Sequence, residues 1–207
     1  IDYPENAGIY LYIKNHSDLK RSRVLVLQMK GGPNKGRWTT PGGQTNEGQG
    51  IKDDSSPLPG IIPNFSGRHL FSRPDRKEFS VVAALREANE ESGILPWTGG
   101  PDYELGNVEF YKIESNTPIF KAEITMDKTM MNTKWRRRKD SEEMMDFAFA
   151  TLNNSDQIVI VDGDMANYTK KTCKGNSPAY PINGSTSVHW RFPGQAAKIK
   201  TFIKQIV

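Results

Sequence analysis

The chain reads as a single α+β domain, a mixed β-sheet flanked by helices. Three observations lead there. Short apolar runs of strand length recur along the chain, an acidic helix interrupts them, and an amphipathic helix closes the chain. The 207 residues suit one domain rather than two. Hydrophobic residues make up 36% and charged residues 25%, enough apolar mass for a core beneath a polar surface.

The first run, Gly8–Ile13, reads as a strand, and Val24–Met29 as a second one apolar enough to be central. The polar stretch from Asn15 to Arg23 is a turn that makes them a hairpin. Gly31–Gly36 then breaks the pattern before Arg37-Trp38-Thr39-Thr40-Pro41-Gly42-Gly43. Between about Gln44 and Lys77, Gly, Pro, Ser, Asn and Asp crowd together and apolar periodicity disappears. That stretch is expected to be a long surface loop inserted in the domain, of the kind that is functional or disordered. A helix follows over roughly Glu78 to Ser92, stopped by Gly93. Val108–Ile113 and Ile119–Ile124 alternate as strands. Lys128–Asp140 is polar and basic, and Phe147–Ala150 and Ile158–Val161 are short strands. Gly, Asn, Lys and Pro fill Asp162–Ser187. The last helix runs from about Gln195 to Ile206, with Ile199, Phe202, Ile203 and Ile206 at helical spacing and hence buried.

Several function classes drop out. No run of apolar residues is long enough to cross a bilayer, so no membrane association is expected. One cysteine, Cys173, cannot form an intramolecular disulfide or a multi-cysteine zinc cluster, and it reads as an incidental thiol. The net charge of +4 favours anionic partners. The chain begins at Ile1 rather than Met, so upstream residues are expected to have been removed, whether a signal peptide or a designed boundary.

The chemistry concentrates in Arg86-Glu87-Ala88-Asn89-Glu90-Glu91-Ser92-Gly93-Ile94. Glu87 lies three residues from Glu90 and four from Glu91, spacings that place all three on one helical face. Stacked carboxylates repel, and two of them sit in the last turn, where the helix dipole disfavours anions. Hard divalent cations, which prefer oxygen ligands, would compensate. Val81, Val82, Ala84 and Leu85 occupy the opposite face and are expected to pack on the sheet. The alternative is an ordinary solvated, salt-bridged helix face.

This segment resembles the second half of the Nudix box, R-E-hydrophobic-x-E-E-x-G-hydrophobic, with every fixed position present. Five such identities at fixed spacing arise by chance in a chain this long with odds on the order of 10⁻⁴. Glu78 stands where the box has its first glutamate, and Pro41-Gly42-Gly43 resembles the opening of the box. Yet 34 residues lie between Gly43 and Glu78 where the pattern has about five, which implies a loop insertion. The resemblance implies the α/β/α sandwich of that superfamily and a hydrolase of phosphoanhydride bonds. It implies that Glu87, Glu90 and Glu91 hold one to three Mg²⁺ or Mn²⁺ ions, that the Gly42 carbonyl adds a ligand, and that Arg86 pairs with Glu78 or Glu87. Glu78 is then a supporting carboxylate. A further acid after the box would serve as ligand or base, with Glu143 preferred to Glu142. The metal ions would neutralise phosphate oxygens and activate a water.

The box specifies the bond and not the group attached to it. Lys134-Trp135-Arg136-Arg137-Arg138-Lys139 surrounds one indole with five cations, which suits a phosphate chain and a stacked base. Trp190 beside Arg191 is a second stacking candidate. A solvated basic loop is the plain alternative for the 134–139 cluster. Capped RNA ranks first as substrate. Inositol pyrophosphates or dinucleoside polyphosphates follow, then ADP-ribose or NADH, and a catalytically silent RNA-binding module stands apart from these. The chain also resembles in type the secreted Nudix effectors of plant-pathogenic fungi. That likeness implies action in a reducing, cytoplasm-like compartment after delivery into a host cell. The oligomeric state is not legible.

Overall fold

A computed structural model describes residues 4–14, 22–45, 79–92, 104–125, 144–162 and 188–206. Nine strands among them form one sheet, and two α-helices cover its faces. The strands are β1 (Asn6–Ile13), β2 (Arg23–Met29), β3 (Trp38–Thr39), β4 (Gly42–Gln44), β5 (Glu104–Leu105), β6 (Glu109–Glu114), β7 (Thr117–Thr125), β8 (Met144–Leu152) and β9 (Ile158–Asp162). The helices are α1 (Ser80–Ser92) and α2 (Gln195–Gln205). No helix among the described residues is long and apolar enough to cross a membrane.

The main path through the sheet runs β5-β7-β1-β2-β8-β9, with β3 beside β2, β4 beside β1 and β6 beside β7. The pair β1–β7 is parallel and the other pairs are antiparallel, so the sheet is mixed as expected. Pleating sends successive side chains to opposite faces, which separates two cores. Ala7, Ile9, Leu11 and Ile13 of β1 join Leu25, Leu27, Phe120 and Phe149 under α1. Tyr10, Tyr12, Val24, Val26, Ala148 and Ala150 face α2. The result is a three-layer α/β/α sandwich. Burial on both faces explains why β1 and β2 read as nearly continuous apolar runs.

Each helix buries one stripe. In α1 the stripe is Val81, Ala84, Leu85 and Ala88, joined by Ala83. Val82, expected in the core, is only partly buried and packs at its margin. In α2 the stripe is Ile199, Phe202 and Ile203, and Ile206 packs against it partly buried. The Phe202 ring lies 4.7 Å from Tyr10, 5.4 Å from Tyr12 and 5.0 Å from Tyr111. Alanines at 148 and 150 on the facing strand leave room for it. Ser115 and Asn116 both have positive φ and close β6 onto β7, the geometry of a primed two-residue hairpin turn.

One departure from expectation positions the site. The β1–β2 hairpin pairs at only one end, with Tyr12 opposite Val24 and Ile13 opposite Arg23. Towards the other end the two strands splay, and residues 38–44 fill the gap. Thr39 pairs with Leu27 of β2, Ile9 of β1 donates its N–H to the Pro41 carbonyl at 3.1 Å, and Gly42–Gln44 pairs with Gly8–Asn6. Pro41-Gly42-Gly43 is therefore built into the sheet. Gln44, expected to begin the surface loop, ends β4. Thr45 follows it inward, its hydroxyl donating to the Pro4 carbonyl at 2.9 Å. Dipeptides such as Trp38–Thr39 carry no periodicity, so only pairing partners reveal them as strands.

Candidate active site

Helix α1 crosses the sheet over β1 and β4, so its C-terminal half stands above the wedge of residues 42–44. Arg86, Glu87, Glu90 and Glu91 come from its last two turns. At about 100° per residue, Glu87 lies between its two neighbours on the helix surface, with Glu90 to one side and Glu91 to the other. The structure separates the three accordingly. Glu90 has a side chain 49% exposed, Glu87 is at 13%, and Glu91 is buried at 3%. The three thus spread across one face as a fan that runs from solvent into the protein.

Arg86 ties the outer half of this fan together. Its Nη1 donates to Glu87 Oε1 at 3.2 Å and to Glu90 Oε2 at 3.1 Å. Its Nη2 donates to the Gln44 carbonyl at 2.9 Å, so the guanidinium also clamps the helix to the end of β4. Of the two glutamates expected to pair with Arg86, Glu87 does so. Glu78 lies outside the described residues, and Glu90 also joins, one helical turn beyond Arg86.

The two glycines have different tasks. A Cβ on Gly43 would lie 2.5 Å from Glu87 Oε1 and 2.8 Å from Oε2. A Cβ on Gly42 would lie 2.7 Å from the Ala7 carbonyl oxygen and 3.0 Å from Gly8 Cα. Gly43 lets a carboxylate reach the β4 backbone, whereas Gly42 lets β4 lie close to β1. The sequence placed the Gly42 carbonyl at the site and did not single out Gly43 or the Gln44 carbonyl. The glycine pair itself was the available signal for Gly43. A backbone oxygen such as that of Gln44 leaves none.

The donor set suits a hard divalent cation. α1 carries three glutamates and one arginine, with no basic residue in its last turn, so negative charge exceeds positive at the negative end of the helix dipole. The cradle at Gly43 holds the Glu87 carboxylate against backbone, as an oxygen-rich site requires. Among the described residues, no three His, Cys, Asp or Glu side chains converge on one point. Glu143, Glu142 and the cluster Lys134, Trp135, Arg136, Arg137 and Arg138 lie outside the described residues, as does Cys173. Trp190, the second stacking candidate, forms a parallel bridge with Trp38 and packs partly buried against the core under α2.

No protein-family model matches the chain, and no curated protein matches it. Solved structures do share part of its shape. A C. elegans Ap4A hydrolase binary complex is 17% identical, covering 70% of this chain and 77% of its own at a TM-score of 0.35. A NUDIX hydrolase from Alicyclobacillus acidocaldarius is 13% identical, covering 72% and 78% at a TM-score of 0.35. A MutT/nudix family protein from Enterococcus faecalis is 14% identical, covering 87% of this chain and 57% of its own at a TM-score of 0.32.

Proposed function

We propose that this chain is a metal-dependent hydrolase of the Nudix superfamily. It would cleave a phosphoanhydride bond of 5′-capped RNA to release 7-methylguanosine diphosphate and leave a 5′-monophosphate RNA. One observation carries the reading. The two halves of the box resemblance, far apart in sequence, meet in space where Glu87 lies against Gly43 and Arg86 bonds Gln44. A solvated acidic helix face would have no reason to be clamped to a glycine pair.

Mg²⁺ or Mn²⁺ would be held by Glu87, Glu90 and Glu91, with the Gly42 carbonyl and Glu143 as further ligands. When bound, the metal supplies charge neutralisation at the phosphates and lowers the pKa of a water. The chain's own contribution is positional. Gly43 fixes where the Glu87 carboxylate sits, and Arg86 orients Glu87 and Glu90 while screening their repulsion. A carboxylate must accept the proton of the attacking water. Glu143 is the proposed base, with Glu142 second and Glu78 supporting. The cation-rich 134–138 segment would track the phosphates of the RNA, with Trp135 stacking on a base.

The test is incubation with Mg²⁺ or Mn²⁺ and cap-labelled RNA, beside 5-diphosphoinositol pentakisphosphate, diadenosine polyphosphates, ADP-ribose and NADH. Release of labelled 7-methylguanosine diphosphate, abolished by EDTA and by Glu90→Gln/Glu91→Gln, is the expected result. Turnover of another compound in place of capped RNA would retain the hydrolase and discard the substrate. No turnover with any metal would leave a binding module.

A further inference from the structure

The segment leading into α2 lies along β3, away from the carboxylates of α1. Trp38 N donates to the His189 carbonyl at 2.8 Å, and Arg191 N donates to the Trp38 carbonyl at 2.9 Å. The Trp190 ring packs partly buried against the core, whereas the next aromatic stands largely in solvent. Phe192 is 53% exposed, and the Arg191 guanidinium carbon lies 4.8 Å from its ring centroid. Arg37 joins the same ledge, its Nη1 donating to the Trp190 carbonyl at 3.5 Å.

The charge of this ledge is one-sided. Residues 30–45 and 188–206 together contain seven Lys or Arg and no Asp or Glu. Lys204 is answered by Asp156 at 3.5 Å. Among the described residues no carboxylate forms an ion pair with Arg37 or Arg191, and the buried Nε of Arg191 has no hydrogen-bond partner there. Among the described residues, then, an exposed phenyl ring stands beside two guanidinium groups that no acid there answers. This arrangement matches a ligand that brings flat apolar rings and repeated negative charge together.

We infer that this ledge is a docking surface for single-stranded nucleic acid. A base stacks on the Phe192–Arg191 pair, and Arg37 and Arg191 contact the flanking phosphates. The choice of RNA over DNA rests on the function proposed above, whereas the ledge itself does not. Arg37 immediately precedes β3, and the chain runs on through Pro41 to Gly43, which lies against Glu87, so a nucleic-acid strand bound here would follow the chain segment that leads to the site. The chemistry divides between ring and charge: the phenyl ring reads bases without regard to sequence, and the guanidinium groups read the backbone.

The experiment is fluorescence anisotropy of a labelled, uncapped decauridylate with the full chain in EDTA, where no hydrolysis can occur. Phe192→Ala should weaken binding at least about fivefold, and Phe192→Trp should restore it. Arg37→Gln/Arg191→Gln should lower the slope of log affinity against log salt by about 1.4, roughly 0.7 for each phosphate contact on a single strand. An abasic oligomer of equal charge should bind wild type more weakly than decauridylate, and should bind Phe192→Ala equally well. Unchanged binding by Phe192→Ala, equal binding of abasic and base-bearing oligomers by wild type, or stronger binding of oligoglutamate would each overturn the inference. Binding that depends on Phe192 without any cap hydrolysis would keep the ledge and remove the substrate assignment. Cap hydrolysis with binding indifferent to Phe192 would do the reverse.

Discussion

Glu87 and Gly43 are packed so closely that a methyl group on Gly43 would fall 2.5 to 2.8 Å from both carboxylate oxygens. The group in the way is the tip of a flexible side chain. At Gly42 it is the backbone of β1, with the Ala7 carbonyl oxygen 2.7 Å from the added carbon. The neighbouring glycines should therefore respond differently to the same substitution.

Gly43→Ala should leave thermal stability nearly unchanged, because Glu87 can swing aside, but turnover should fall by about 100-fold, as a misplaced catalytic group typically costs. Gly42→Ala should instead destabilise the fold by about 1–3 kcal/mol through overpacking. Melting curves and turnover of one substrate for both variants check this. Wild-type turnover by Gly43→Ala would remove Glu87 from the site.

Arg86→Lys keeps the charge but not the fork that reaches Glu87, Glu90 and the Gln44 carbonyl at once. The pairs are partly exposed, so stability should change by less than about 1 kcal/mol. Turnover should fall about 10- to 100-fold, the usual cost of losing a group that orients metal-binding carboxylates. Denaturant titration and steady-state kinetics separate the two effects. A loss of stability without a loss of turnover would make Arg86 a structural clamp only.

Phe202 projects from α2 and is fully buried against the sheet, on the face away from α1. Phe202→Ala should cost about 3–5 kcal/mol of stability and leave KM unchanged at temperatures where the variant remains folded. Urea denaturation beside kinetics at low temperature tests this separation of the two cores.

Tyr10 is buried, and its hydroxyl donates to Glu114 at 3.3 Å. Burial first, then the nearby Glu114 carboxylate, push its pKa far above the ordinary 10.0. The folded state therefore holds this proton more tightly than the unfolded state. Its contribution is fully present below about pH 10 and is lost as pH rises beyond that. Tyr10→Phe should unfold less steeply with alkali than wild type above about pH 10. Tyr12, shifted in the same direction by burial, should preserve part of the slope. Equal alkaline slopes for the two proteins would contradict this account.

Much of the scaffold was legible in the sequence. The strands β1, β2, β7 and β9 and both helices fall close to the apolar runs and stripes that predict them, because burial on one or both faces dictates residue type at every second or every third to fourth position. β3 and β4 were not legible. Two or three residues carry no period, and Gly42–Gly43 reads as a turn in any local scheme. The site was half legible. The carboxylates and Arg86 stand at fixed spacings on one helix, but the order of exposure from Glu90 through Glu87 to Glu91 depends on which way the helix faces the sheet.

By itself the sequence determined the identity and spacing of the charged groups on α1, the two hydrophobic periods and the absence of acid around Arg37 and Arg191. These are properties of the chain, present before it folds. Tertiary structure decided what lies next to what. The splaying of β1 from β2 admits residues 38–44, brings Gly43 beneath Glu87 and gives the Arg86 fork a carbonyl to hold. Contacts between residues distant in the chain depend on how the strands pair and how the helices pack, and local preference along the chain carries no record of that geometry.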